Sequence, residues 1–315
     1  MQEPLFIQPV LQEKMWGGTK LRDIYGYKIP SEHTGECWAI SAHPDGVGKI
    51  TIGTFAGMGL DELYQTHPEL FGHPTSPVFP LLTKIIDAAD ALSVQVHPDD
   101  AYALKNEGEL GKTECWYVID ADEGAEIVYG HTAQSRQEFE DLVEAGKWEQ
   151  LLRYIPVKKG DFFFVPSGTI HAIGAGITIL ETQQSSNTTY RVYDFDRLDQ
   201  AGHARDLHIE ASLAVTTIPH QDPENHFQTE GAVTTFIESE YFNVYKWDIS
   251  NTFDYHQEAP YTLISVLEGQ GELSITDNSY SIGKGMHFIL PHDIDSVRFT
   301  GQLEMIVSTP GPKSQ

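Results

Sequence analysis

The chain has 315 residues, of which 40% are hydrophobic, and a formal net charge of −26. This length can bury the cores of one or two compact units. The excess of acidic residues argues against a nucleic acid or an anionic membrane as the main partner, since both favour a basic surface. No apolar run approaches the ~20 residues that a membrane-spanning helix requires, and the first residues do not resemble a secretory leader, so we expect a cytoplasmic protein.

Residues 91–97 predict a buried strand in which Ser93, Gln95 and His97 alternate with apolar residues. Because side chains in a strand alternate between its two faces, these three polar side chains share one face. Inside a β-barrel they must be hydrogen-bonded or bind a ligand, since an unpaired buried polar group costs roughly 1–3 kcal/mol. A metal ion would satisfy them, although a single residue of this kind is more often an ordinary hydrogen-bonded core group.

Two helical insertions are predicted, at 98–106 and at 135–152, and the second opens with a capping box formed by Ser135 and Glu138. Between them, Glu114 begins a β-rich run and offers the carboxylate that two imidazoles need to hold a divalent ion. The first helix could form one wall of such a site, but a helix that only packs on the surface is the ordinary interpretation.

The segment from Gly160 to His171 has a spacing typical of a turn, a strand, a second turn and a returning strand. Gly160, Pro166 and Gly168 are the turn residues, and His171 then faces inward. This spacing resembles the second motif of the cupin fold, a small jelly-roll β-barrel. The predicted metal ligands are Gln95, His97, Glu114 and His171. Imidazole, carboxylate and amide oxygen suit Zn²⁺ and leave Fe, Mn or Co open.

The same pattern recurs at residues 285–291 and predicts a second cupin barrel. At the position that matches His171 the copy has Ser296, and the segment 268–272, which we interpret as a hairpin turn, has no His-x-His pattern before it. We therefore expect the second barrel to lack a metal.

A helix-prone stretch at 207–214 and a polar, proline-containing segment at 219–230 separate the two patterns. The predicted fold class is mainly β, with two cupin-type (jelly-roll) β-barrels and a few helical insertions. Residues 1–220 would form the metal-binding domain with the helical insertions, and residues 221–315 the second, metal-free cupin-like domain.

Several segments resemble the class I mannose-6-phosphate isomerases in their short bacterial form. The matching segments are FPLLTK at 79–84, the Gln95/His97 strand, GKTE at 111–114, the His171 turn and Tyr190–Arg191. The resemblance implies an enzyme that interconverts mannose 6-phosphate and fructose 6-phosphate with one zinc ion per chain. The longer members of the family have an aspartate four residues before the arginine, where this chain has Asn187, and an extra helical domain that is absent or much reduced here.

The resemblance also implies roles for individual side chains. It assigns the zinc to Gln95, His97, Glu114 and His171. Ser93 and Lys112 match positions associated with phosphate binding, and Arg191 matches a catalytic arginine. Lys84 is expected to orient a ligating carboxylate or to contact the sugar, with a surface ion pair as the alternative. Substrate binding is thus predicted for Ser93, Lys84, Lys112 and Arg191.

The implied reaction moves a proton between C1 and C2 through a cis-enediol, and negative charge develops on oxygen as the carbon proton leaves. A cationic group must stabilise that charge. A metal ion would do so, and Arg191 and Lys112 are the predicted catalytic side chains. The base that moves the proton is unassigned, because its candidates are close to the predicted site residues only in sequence. These candidates are Glu181, Asp194 and Asp196.

Two other functions use a similar pocket. A metal-dependent cupin dioxygenase would use a redox metal, usually with more histidines, and the predicted glutamine ligand and nearby cations argue against it. A non-catalytic cupin that binds a sugar phosphate would share its ligands with the enzyme, and removing the metal would distinguish the two. The expected partner is a small sugar phosphate, with no nucleic acid or membrane, and the oligomeric state is open.

Overall fold

The computed structural model describes residues 3–198, 202–224 and 227–314, and the chain is mainly β as predicted. No helix in these ranges is both long enough and apolar enough to cross a membrane. The strands are β1 (Leu5–Gln8), β2 (Val10–Gly18), β3 (Thr34–Ile40), β4 (Lys49–Ile50), β5 (Leu81–Ala88), β6 (Val94–Val96), β7 (Glu114–Ala121), β8 (Glu126–His131), β9 (Leu152–Pro156), β10 (Phe162–Val165), β11 (His171–Ala172), β12 (Ile177–Gln184), β13 (Tyr190–Tyr193), β14 (Gln228–Glu230), β15 (Val233–Glu238), β16 (Phe242–His256), β17 (Thr262–Ile275), β18 (Asn278–Gly283), β19 (His287–Leu290) and β20 (Ser296–Pro310). The helices are α1 (Lys20–Tyr25), α2 (Leu60–Thr66), α3 (Asp100–Asn106), α4 (Arg136–Glu144), α5 (Trp148–Leu151) and α6 (Ile209–Val215), with 3₁₀ helices at Pro68–Phe71 and Pro312–Ser314.

The first barrel is built from two antiparallel sheets. Within the described residues, six strands follow the order β10-β7-β12-β5-β2-β3, and five follow the order β13-β6-β11-β8-β9. Apolar side chains from both sheets share one core, including Trp116 from β7 and Ile127 from β8. The sheets thus face each other, and polar residues on their inner faces lie between them.

The second barrel is a single sheet whose order, in the part of the chain that is described, is β14-β15-β16-β20-β17-β19-β1-β4, with β18 paired to β17. Its own apolar core includes Trp247, Phe288 and Phe299. The N-terminal strand β1 pairs with β19, with Leu5 opposite Ile289. The sheet therefore crosses the predicted boundary at residue 220, because β1 and β4 come from the N-terminal part of the chain.

The two barrels pack against each other through an apolar core. Cys37 and Tyr117 from the first barrel and Phe242 and Leu263 from the second belong to the same buried cluster. Tyr117 also donates a hydrogen bond from its hydroxyl to Glu304 of β20, at 3.1 Å. The second barrel thus supports strand β7, which begins at Glu114.

The predicted hairpin turn at 268–272 is wrong, because this segment lies inside β17 and pairs with β20. The register shifts between Val266 and Glu268, and Gly269 adopts a φ of 87°. A Cβ on Gly271 would lie 2.0 Å from the carbonyl oxygen of Thr300. The glycines therefore permit an irregular strand and a close approach of its neighbour, rather than a reversal of the chain.

Other predicted elements differ from the observed ones mainly in their length. The helix predicted at 135–152 is divided into α4 and α5, and Gly146 between them has a φ of 64°. Ser135 caps α4 by accepting a hydrogen bond from the backbone N–H of Glu138. The strand predicted at 91–97 is regular only over β6, and the segment 219–230 ends in strand β14.

Candidate active site

A cavity of about 280 Å³ opens between the two sheets of the first barrel. Among the described residues, its lining includes five cationic side chains and three carboxylates, so it is locally positive in a strongly acidic chain. The cations are Lys14, Lys84, Lys112, Arg191 and Arg205, and the carboxylates are Glu36, Glu114 and Glu181. This charge balance favours an anionic ligand.

Three buried side chains form a cluster at one side of this cavity. One ligand atom from each of His97, Glu114 and His171 lies within 4.8 Å of the other two. His97 Nε2 is 3.4 Å from Glu114 Oε2, and His171 Nε2 is 3.3 Å from Glu114 Oε1. The strands bring these residues together: β11 carries His171, β7 begins with Glu114, and His97 directly follows β6.

The two imidazoles are held with Nε2 directed at the carboxylate. Nδ1 of His97 lies 2.9 Å from the carbonyl oxygen of Thr188, and Nδ1 of His171 lies 2.9 Å from that of Thr169. Nδ1–H therefore donates to a carbonyl in each case and leaves Nε2 with a free electron pair. Burial lowers the pKa of His171 to about 4, and burial together with the charge of Lys112 holds the pKa of His97 well below its usual value.

Gln95 lies opposite His171 in the β6–β11 pairing, and its side-chain nitrogen is 3.4 Å from His171 Nε2. Rotating the amide by half a turn would direct its oxygen at the same point. Two neutral imidazoles, one carboxylate and one amide oxygen then converge, which is a donor set that fits a divalent metal ion. The turn before His171 has the predicted form, since Gly168 adopts a φ of 86°.

Lys112 lies beside this cluster. Its Nζ is 3.1 Å from His97 Nε2 and 3.2 Å from Glu114 Oε2. Burial lowers the pKa of Lys112, but the negative charges of Glu114 and Glu181 outweigh that effect and raise it above its usual value. The ammonium is therefore protonated at neutral pH and lies beside the His97–Glu114–His171 cluster.

Lys84 is 3% exposed, so the alternative of a surface ion pair is wrong. Its Nζ is 3.5 Å from Glu181 Oε1 and lies 5.0 Å from the centre of the Trp38 ring. Burial lowers the pKa of Lys84, although the charges of Glu36 and Glu181 oppose that shift.

Ser93 and Arg191 also line the cavity. Arg191 Nε donates to Ser93 Oγ at 3.3 Å, and Nη1 donates to the carbonyl oxygen of Asp206 at 2.8 Å. Asn187 also lines the cavity, and its side chain donates to Asp45 Oδ2 at 2.8 Å.

Sequence reasoning placed Glu181 only near the site and missed Glu36, Lys14 and Arg205 as cavity residues. Glu36 and Glu181 had a detectable signal, because each is a carboxylate inside a strand whose residues are all buried, β3 and β12. Arg205 lies in a loop without periodicity and gave no such signal. The other two candidate bases, Asp194 and Asp196, do not belong to the described lining of the cavity.

The indole of Trp116 joins two of the cavity carboxylates. Its Nε1–H donates to Glu114 Oε1 at 3.1 Å and to Glu181 Oε2 at 3.2 Å. Burial and the charge of Glu114 raise the pKa of Glu181. Glu181 Oε1 is buried and makes no hydrogen bond to another described residue. It lies 3.5 Å from the Lys84 ammonium, with which it forms an ion pair, and it can still accept a hydrogen bond from a bound molecule.

Comparison with known proteins identifies the family. The sequence model "Phosphomannose isomerase type I, catalytic domain" matches residues 5–129, and "Mannose-6-phosphate isomerase, cupin domain" matches residues 232–310. A curated mannose-6-phosphate isomerase from Streptococcus mutans is 59% identical over 311 residues, which is 98% of each chain. Mannose-6-phosphate isomerase ManA from Bacillus subtilis is 50% identical, over 97% of this chain and 98% of that one.

Solved structures agree with this result. The crystal structure of mannose 6-phosphate isomerase from Bacillus subtilis is 49% identical and superposes with a TM-score of 0.95, covering 98% of this chain and 99% of that one. A phosphomannose isomerase variant from Salmonella typhimurium, only 16% identical, has the same fold with a TM-score of 0.81 over 98% of this chain and 99% of that one. The cupin fold and the predicted resemblance are thereby confirmed, and the chain belongs to the type I mannose-6-phosphate isomerase family.

Proposed function

We propose that this chain is a metal-dependent aldose–ketose isomerase that interconverts mannose 6-phosphate and fructose 6-phosphate. The observation that carries the proposal is the buried His97–Glu114–His171 cluster beside a cavity with more cations than carboxylates. The family supports the same reaction, since relatives named for it cover nearly the whole chain.

The metal site that we propose consists of Gln95, His97, Glu114 and His171, and holds one Zn²⁺ per chain. When bound, the ion supplies positive charge for the sugar oxygens on which negative charge develops. The neutral imidazoles support this assignment, because only an unprotonated Nε2 can bind a metal. Glu114 is the one carboxylate of the set, so the ion keeps a net positive charge.

Lys112 acts at the same side of the cavity. Its ammonium is 3.1 Å from His97 Nε2, so it can stabilise negative charge on a sugar oxygen that lies beside the metal set. The resemblance associates this lysine with phosphate, and its contacts favour the catalytic role.

Glu181 is the side chain that we propose to carry the proton between C1 and C2. Glu181 lines the cavity, and its pKa is raised towards neutral pH. A group whose pKa lies nearer the working pH can both accept and return a proton. Lys84 at 3.5 Å stabilises the ionised form, and Trp116 fixes the position of the other carboxyl oxygen.

The anionic end of the substrate is assigned to Ser93 and Arg191. Arg191 lines the cavity and makes no ion pair with a carboxylate in the described part of the chain. A phosphate would supply the missing negative charge. The catalytic role that the resemblance implies for Arg191 is separable from this one, because loss of phosphate binding raises KM, whereas loss of a transition-state contact lowers kcat.

The two alternative functions have less support. A dioxygenase would use a redox metal, and neither the glutamine nor the three lysines of the cavity serves that chemistry. A non-catalytic binding protein would need no proton carrier, whereas Glu181 lines the cavity with an oxygen that makes no hydrogen bond to a described residue.

Isotope exchange tests the proposed chemistry. In D₂O, the metal-loaded protein should incorporate deuterium at C2 of mannose 6-phosphate and at C1 of fructose 6-phosphate, as followed by NMR. The Glu181→Gln variant, which keeps the size of the side chain but cannot carry a proton, should lose this exchange while it still binds the substrate. Exchange at the wild-type rate in Glu181→Gln would remove Glu181 from the mechanism, and no exchange in the metal-loaded wild type would contradict the enediol reaction.

A further inference from the structure

Arg205 lines the cavity but does not belong to the metal set, the proton carrier or the Ser93–Arg191 pair. Its guanidinium is held along one edge by Asp194: Nε donates to Oδ2 at 2.7 Å, and Nη2 donates to Oδ1 at 2.6 Å. Asp194 is 5% exposed, so this pair fixes the side chain firmly. The remaining nitrogen, Nη1, makes no hydrogen bond to any described residue.

Arg191 lies near Arg205 and is held in a similar manner. Its Nε donates to Ser93 Oγ and its Nη1 donates to the carbonyl oxygen of Asp206, which leaves Nη2 without a partner among the described residues. Burial and the positive charge of Arg205 lower the pKa of Arg191, which indicates that the two guanidinium groups lie close enough to repel. Two neighbouring cations in one cavity are stabilised when an anion binds between them.

Building on the proposed function, we propose that Arg205 determines specificity for a phosphorylated sugar, by binding the substrate phosphate together with Arg191 and Ser93. Asp194 positions Arg205. Nη1 of Arg205 and Nη2 of Arg191 each donate a hydrogen bond to a phosphate oxygen. Guanidinium groups suit this role because their donors are rigid and remain charged at every pH of interest. The predicted candidate base Asp194 thus acts as a positioning residue.

Arg197 provides a matched control. It also donates to Asp194, from Nη2 to Oδ1 at 2.6 Å, but it does not line the cavity. Its Nη1 donates to the carbonyl oxygen of Ala91 and lies 3.5 Å from Asp90. Changing Arg197 perturbs the same carboxylate without removing a donor from the cavity.

The experiment compares Arg205→Gln with Arg197→Gln in the metal-loaded protein. For Arg205→Gln, the KM for mannose 6-phosphate should rise roughly 10- to 100-fold, as expected for the loss of a charged hydrogen bond, with little change in kcat. The dissociation constant for inorganic phosphate, measured by calorimetry, should rise with it. Arg197→Gln should leave both constants near the wild-type values.

Several results would overturn the role of Arg205. These are a wild-type KM and phosphate affinity in Arg205→Gln, a fall in kcat alone, or an equal effect in Arg197→Gln, which would mean that Asp194 and not the cavity donor is responsible. If Arg205→Gln does not fold, Arg205→Met keeps the apolar stem and must show the same rise in KM. A wild-type protein that binds phosphate but does not convert mannose 6-phosphate would refute the proposed function, while the phosphate affinities would still decide the role of Arg205.

Discussion

A buried histidine at the barrel interface gives a quantitative prediction about acid stability. His287 on β19 has its Nε2 2.8 Å from the hydroxyl oxygen of Tyr27 and its Nδ1 2.9 Å from Ser265 Oγ. The Tyr27 hydroxyl donates to the carbonyl oxygen of Gly285 at 2.7 Å, so it accepts a hydrogen bond from the imidazole Nε2–H. Nδ1 then accepts from Ser265, and the neutral imidazole satisfies every polar atom of the group.

The size of the effect follows from the pKa of this imidazole. Burial lowers the pKa of His287 from 6.5 to about 3. Between these values the unfolded chain binds a proton that the folded protein does not, so stability falls as the pH falls below 6.5. For this one group the loss reaches ~2 kcal/mol at pH 5 and approaches ~5 kcal/mol below pH 3.

The test replaces His287 with glutamine, which does not titrate and can still contact Tyr27. Urea unfolding followed by circular dichroism at pH 8 and pH 5, with a chelator in every sample, gives the free energy of unfolding of both proteins. Other buried histidines contribute equally to both, so the wild type should lose ~2 kcal/mol more than His287→Gln between the two pH values. An equal loss in both proteins would refute the assigned burial and pKa of His287.

Two further substitutions test one contact in the cavity and one between the barrels. Lys84→Met leaves the buried Glu181 carboxylate without its cation, so we expect a loss of ~3–5 kcal/mol in the free energy of unfolding and a lower kcat, and unchanged stability would contradict the buried pair. Tyr117→Phe removes the hydrogen bond to Glu304 between the barrels, and should cost ~1–2 kcal/mol of stability in urea unfolding with little effect on kcat. A large fall in kcat in a fully stable Tyr117→Phe would instead mean that this contact controls the chemistry.

Local periodicity predicted which side chains converge at the His97–Glu114–His171 cluster. Alternation of polar and apolar residues placed Ser93, Gln95 and His97 on one face, and the turn spacing before His171 directed its imidazole inward. The structure brings these histidines to the same carboxylate, Glu114. Such short-range patterns survive folding because the pleat of a strand and the geometry of a turn depend on neighbouring residues.

The rest depended on contacts between distant segments. The pairing of β1 with β19 and the ion pair between Lys84 and Glu181 join residues that no local pattern relates. Arg205 reaches the cavity from a loop, where side-chain direction has no period. The prediction of a hairpin turn at 268–272 was wrong for another reason. The same glycines are compatible with a turn or with an irregular strand, and pairing with β20 decides between the two.

We propose that the His97–Glu114–His171 cluster holds a metal ion that the isomerase reaction needs. The most direct measurement is the conversion of mannose 6-phosphate to fructose 6-phosphate by the purified protein, before and after chelation and after Zn²⁺ is restored, with His97→Ala assayed alongside. We predict that turnover disappears when the metal is removed and returns when Zn²⁺ is added. The His97→Ala variant should show no turnover and should no longer bind one metal ion per chain. Full turnover in a protein shown to contain no metal, or no turnover in a protein with one metal per chain, would contradict this role of the cluster.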